Sequence, residues 1–169
     1  IKLAFEQARA SNTVANWQAF RTRYKPYPAA ANSVAQARSL EVAGAYATAL
    51  ANGQLDALVE FLSHYDHWPE ARVQGPDMRK RLLAAKLQRA KATGSDQAID
   101  EFIRSHKSWE ASGPYIREAR THLVETAFQL ATASNTTVGW QRFIEKFQTW
   151  DEARARIMDA MRRQAELIN

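Results

Sequence analysis

The segment His64-Tyr65-Asp66-His67-Trp68 holds the chain's densest set of side chains able to do chemistry: two imidazoles with a carboxylate between them are zinc-ligating residue types. A closed metal site needs further ligands, and with no cysteine in the chain no thiolate can supply one. The same two positions hold Arg23 and Pro26 in the preceding stretch and Ser105 and Ser108 in the following one, so the cluster occurs once. His64 and His67 are therefore read as solvent-facing residues at a helix end. His106 falls in an otherwise aromatic column and is read as a half-buried ring. Nucleophilic or acid–base catalysis would need a paired nucleophile and base, or two acids at revealing spacing, and phosphate chemistry a Gly-rich loop. None is present, so no catalytic, cofactor or metal residue is assigned and the chain is read as non-enzymatic.

The cations offer more. Arg72, Arg79, Lys80, Arg81, Lys86, Arg89 and Lys91 form a run interrupted by the single acid Asp77. Such a run is usually a solvated face, and it is also where an acidic peptide, an anionic polymer or nucleic acid would land first. Arg79, Arg81, Lys86 and Arg89 are the candidate partner-binding residues. Lys+Arg 23 against Asp+Glu 18 gives a formal +5, a mild excess for a dedicated binder of polyanions. Arg38, Arg79 and Arg120 form a regularly spaced column that ends at Met161. Glu60 and Glu101, spaced alike, are the expected partners of a structural ion-pair ladder. Tyr27, Trp68, Trp109 and Trp150 form a second column, read as packing wedges between repeats rather than an exposed stacking ladder.

What must position these residues is a repeat. Phe20, Phe61, Phe102 and Phe143 follow one another at intervals of 41 residues without a gap. Trp17, Leu58, Ile99 and Trp140 keep the same register, as do Tyr24, Tyr65, His106 and Phe147, and Phe5, Tyr46, Leu87 and Phe128. A fixed period in this range marks a stacked-repeat architecture. Trp17, Phe20, Arg21 and Tyr24 stand at i, i+3, i+4 and i+7, the spacing of one helix face. Asn12, Gly53, Gly94 and Asn135 precede each short helix and accept the left-handed conformation that ends the helix before it. Thr13, Ser95 and Thr136 follow as N-caps. A long helix restarts after Pro28, Pro69 and Pro114, for example from about Tyr115 to Ala133, burying Ile116, Ala119, Leu123, Val124, Ala127, Phe128 and Ala131.

The runs AYATALANGQLDALVEFLSHYDHWPEA and KLQRAKATGSDQAIDEFIRSHKSW resemble tetratricopeptide-type repeats, especially the longer variants of bacterial envelope assembly proteins. The resemblance rests on Ala57 and Ala98 four residues before Phe61 and Phe102, and on Pro28 and Pro69 eight residues after Phe20 and Phe61. The unit is longer than that family's, and Arg23, His64, Ser105 and Lys146 stand where its small residue is expected. The resemblance implies a scaffold that holds peptides or partner domains in a groove.

The expectation is an all-α, right-handed α-solenoid of about four helix-turn-helix repeats with a period of about 41 residues, about nine helices in all. The repeats run approximately over 4–44, 45–85, 86–126 and 127–169 within one domain, 1–169. With 46% hydrophobic residues the chain can bury a core, and no stretch approaches the roughly 18 apolar residues of a membrane span. It opens at Ile1 without a leader, as expected of a trimmed part of a longer protein. The expected function is a protein–protein interaction or scaffolding module of a larger bacterial protein, in the periplasm or envelope or in the cytoplasm. The alternative is nucleic-acid or anionic-polymer binding through the basic long helices.

Overall fold

The computed structural model describes residues 1–168. Among them are nine α-helices and no strand: α1 (Lys2–Ser11), α2 (Val14–Tyr24), α3 (Ala31–Asn52), α4 (Leu55–Tyr65), α5 (Gln74–Ala92), α6 (Asp96–His106), α7 (Gly113–Ser134), α8 (Thr137–Phe147) and α9 (Arg154–Glu166). No helix of the described residues is long and apolar enough to cross a membrane. The four short helices α2, α4, α6 and α8 each have 11 residues. Both their first and their last residues recur at the spacing of the phenylalanine column. One-turn 3₁₀ segments at Pro28–Ala30, Pro69–Ala71 and Asp151–Ala153 lead into long helices. α5 opens two residues later than the repeat would place it, because Pro76 has no N–H to bond the carbonyl of residue 72.

The turn column behaves as its residue types require. Asn12, Gly53, Gly94 and Asn135 all have positive φ, from 41° to 67°. The choice between Asn and Gly follows the next column. Where the short helix carries tryptophan, the indole Nε1–H of Trp17 donates to Asn12 Oδ1 at 3.0 Å and that of Trp140 to Asn135 Oδ1 at 3.3 Å. Where it carries Leu58 or Ile99 no acceptor is needed, and glycine takes the left-handed position without a Cβ penalty. Thr13 and Thr136 cap their helices by accepting from the N–H of Asn16 and Gly139. Ser95 occupies the N-cap position with extended backbone but makes no capping bond.

The chain forms two compact units, Ile1–Ala85 and the part from Lys86 onward, and the division falls inside α5. It coincides with the boundary between the second and third repeats. In the first unit α1 packs on α2, α2 on α3 and α3 on α4. In the second, α6 packs on α7, α7 on α8, and α8 on α9. The aromatic columns become chains of ring contacts running along the hairpins. Phe5 meets Trp17 and Phe20, Phe20 meets Tyr24, and Tyr24 meets Tyr27. Tyr46, Phe61, Tyr65 and Trp68 repeat the chain in the first unit, and Phe128, Phe143, Phe147 and Trp150 in the second. Phe20, Phe61, Phe102 and Phe143 are all buried. Burying each ring contributes about 1.5–3 kcal/mol. In α7 the expected face is buried, with Ala127 only half covered.

His106 is buried rather than half-buried. Its Nδ1 lies 2.8 Å from the Phe102 carbonyl oxygen, which can only accept, so Nδ1 carries a proton. Nε2 is then free to accept from Lys86 Nζ at 3.3 Å. The ring keeps its aromatic place because both polar atoms find partners and its faces meet Phe102 and Trp109.

Candidate functional site

One depression of the first unit, ≈ 620 Å³, is an open groove with α2 and α4 as walls and α3 as floor. Val14, Ala15 and Gln18 line it from α2, Gly44, Thr48 and Asn52 from α3, and Ala57, Glu60, Phe61 and His64 from α4. Gly44 lets the α2 wall approach the α3 floor: a Cβ there would lie 3.3 Å from Val14 Cγ2. The corresponding positions in the later repeats are Ala85, Thr126 and Leu167, so the groove lies where the repeat carries its smallest residue in that column.

A second departure lies beneath it. Arg21 interrupts the column of Leu62, Ile103 and Ile144, and Glu41 interrupts that of Leu82, Leu123 and Gln164. Glu41 is 1% exposed and paired: Arg21 Nε donates to its Oε2 at 3.0 Å, and the Tyr65 hydroxyl donates to its Oε1 at 3.2 Å. Gln18 Nε2 completes the network by donating to the Tyr65 oxygen at 3.3 Å. Burial raises the Tyr65 phenol above its ordinary value, Gln18 opposes this, and the Glu41 charge adds to it. A buried ion pair is seldom more stabilising than the aliphatic pair it replaces. Gln18 and Tyr65 of this network also line the groove. Sequence reasoning missed it, although two charges in columns that are otherwise uncharged and mostly aliphatic were the signal.

Beyond Arg21 lies a smaller pocket of ≈ 280 Å³, lined by Arg21, Lys25, Val34, Arg38, His67 and Trp68. Two guanidinium groups lie over the Trp68 ring, Arg21 at 5.1 Å and Arg38 at 4.5 Å from its centroid. His64 and His67, set side by side by the sequence, therefore face different cavities, and both are exposed. No group of three or more potential ligands is placed to hold a metal ion among the described residues.

The arginine column finds carboxylates other than those expected. Arg38 Nε lies 3.0 Å from Glu70 Oε1, and Arg120 Nη1 lies 3.9 Å from Glu152 Oε1. Arg120 also lies over Trp150 as Arg38 lies over Trp68. Glu60 instead lines the groove and Glu101 pairs with Arg104 on its own helix. The reason is position along the long helix: its first turns meet the 3₁₀ segment that carries Glu70 or Glu152, as in the α3 and α7 contacts with those segments. The intervening repeat has Ala111 in that column, and Arg79 pairs with Asp66. The tryptophans are half-buried under these cations, whereas Tyr27 is 58% exposed.

The four cations chosen from the sequence as partner-binding residues are placed differently from one another. Arg79 is held by Asp66, and Arg81 by Asp77 at 2.6 Å. Lys86 is half-buried, against His106 and 5.7 Å from the Trp109 centroid. Arg89 is exposed and has no ion pair among the described residues. At 3.6 residues per turn, Arg79 and Lys86 share one side of α5, while Arg81 lies about 200° round from Arg79. They do not make one basic face.

Asp77 also receives the Tyr46 hydroxyl. That bond and the one from Arg81 hold the carboxyl below its ordinary range, and the hydrogen bond to Asp77 raises the Tyr46 phenol. A carboxyl depressed in the folded state contributes stability above its unfolded value of about 3.9, and loses it as pH falls through the folded value. The melting-temperature deficit of Asp77→Asn relative to the parent should therefore be full at pH 7 and close on acidification to about pH 2. A deficit that stays constant over that range would show that the charge has no role. The chain matches no protein-family model, no curated protein and no solved structure, so its function is argued from this geometry.

Proposed function

We propose that the chain is a non-enzymatic protein-interaction module whose groove between α2, α3 and α4 receives a peptide segment of its partner. On this reading the hairpins are tetratricopeptide-like units stacked into a right-handed α-solenoid, forming one segment of a larger bacterial scaffold. The observation that carries it is the groove itself, open to solvent and of a volume typical of ligand sites. Its lining mixes apolar surface from Val14, Ala57 and Phe61 with the hydrogen-bonding groups of Gln18, Asn52 and Glu60, which suits side chains and backbone of a peptide together.

Polyanion binding through the long helices is the competing reading, and the pairing of Arg79 and Arg81 with acids weakens it. The test uses Ala15→Trp and Thr48→Trp, two exposed positions, one on the α2 wall and one on the α3 floor, where a large ring fills the groove without entering the core. Peptides selected by the parent chain from a random display library should lose binding to both variants, at unchanged melting temperature and with mild salt dependence. Binding of a 20-base DNA duplex that weakens steeply with salt and ignores both tryptophans would instead support the polyanion reading.

A further inference from the structure

We propose that the pocket of Arg21, Lys25, Arg38, His67 and Trp68 is a carboxylate site, and that the partner peptide of the adjoining groove carries an Asp or Glu at the position that enters it. This rests on the groove reading and names the chemistry of its ligand. The pocket and the groove share a wall. Gln18 and Tyr65 face the groove, Arg21 and Trp68 face the pocket, and all but Trp68 are joined through Glu41 by the hydrogen bonds Gln18–Tyr65, Tyr65–Glu41 and Arg21–Glu41. Trp68 packs edge-on against Tyr65 at 5.1 Å. A peptide lying along α2 therefore passes from the groove into the pocket within one helical turn, from Gln18 to Arg21.

The charge balance selects the group that fits. Arg21, Lys25 and Arg38 bring three permanent positive charges, and Glu41 and Glu70 neutralise two of them. One positive charge remains, carried outward by Lys25, which is exposed and has no ion pair among the described residues. A single carboxylate restores neutrality, whereas a phosphate dianion would leave an excess. The donors remain as well. Arg21 bonds Glu41 through Nε, and Arg38 approaches Glu70 through Nε, so neither arginine's terminal amino groups are committed in those contacts. A planar guanidinium fork binds a carboxylate through two parallel bonds. Val34 and the Trp68 ring exclude water from one side, which strengthens that interaction. The departure from the repeat gives the second, independent support. Arg21 and Glu41 stand where the second and third repeats carry aliphatic residues at both positions, and Glu41 fixes Arg21 in position from below.

The experiment selects heptapeptides from a random display library on the intact chain and on two variants. Lys25→Glu reverses the unpaired cation at an exposed position. The double variant Arg21→Leu/Glu41→Leu restores the residue type of the later repeats and so preserves the core. Both are checked for helicity and melting temperature. Peptides retained by the parent should share an acid at one position, and its replacement by the amide should weaken binding about tenfold. Both variants should lose that acid preference while remaining folded. Retained peptides with no fixed acid, or an acid preference that survives in either folded variant, would overturn the carboxylate site and leave the groove standing. Acidic peptides that ignore Ala15→Trp and Thr48→Trp would overturn the groove and leave the carboxylate site. If no peptide is retained, both readings fall.

Discussion

Replacing Arg21 alone with leucine should cost about 3–5 kcal/mol of stability, and replacing Glu41 in the same chain should recover most of it. The single change leaves the Glu41 carboxylate 1% exposed, with the Tyr65 hydroxyl as its remaining donor and no counter-charge. The double change removes both charges from a site that the second and third repeats fill with Leu62 and Leu82 and with Ile103 and Leu123. Such replacements of a buried pair are often neutral or stabilising. Denaturant unfolding of the parent, both single variants and the double variant closes the cycle. If the double variant were as unstable as the worse single one, the site would not accept the aliphatic pattern of its neighbours. The double variant should also hold its stability while losing the ligand preference of the adjoining pocket.

Truncating the phenylalanine column should have an effect of similar size. Phe61→Ala and Phe102→Ala should each cost about 3–5 kcal/mol in denaturant unfolding. A place near the end of the array would by itself suggest a smaller loss at Phe20. The structure removes that distinction. Phe20 is 4% exposed, against 3% for Phe61 and 4% for Phe102, and it packs among Phe5, Trp17, Tyr24 and Ala37. Helix α1 supplies the cover that an end position would lack. Phe20→Ala should therefore fall in the same range as the others. A small and uniform loss along the column would mean that these rings are not the core seam.

The sequence by itself determined the helices. Period and turn chemistry are local properties: the left-handed φ of Asn12, Gly53, Gly94 and Asn135, the caps at Thr13 and Thr136, and the buried face of α7 all follow from residue type and spacing within a few turns. It also placed the arginine and tryptophan columns in register. What only the tertiary structure decided was which partners those columns met. Glu60 and Glu101 were the expected partners of the arginine column, yet Arg38 meets Glu70, because the packing of α3 on the 3₁₀ segment depends on where helices touch. The basic run of α5 read as one surface, yet Arg79, Arg81 and Lys86 are engaged within the chain while Arg89 is exposed. A charge's availability depends on the acid or ring that tertiary contacts bring to it, and spacing along one helix carries no information about that. The pocket beside Arg21 required α2, α3 and the turn after α4 to converge, joining residues as far apart as Arg21 and Trp68. Its sequence trace was faint, since two charges inside mostly aliphatic columns read as tolerated exceptions until their burial and mutual bonding are seen.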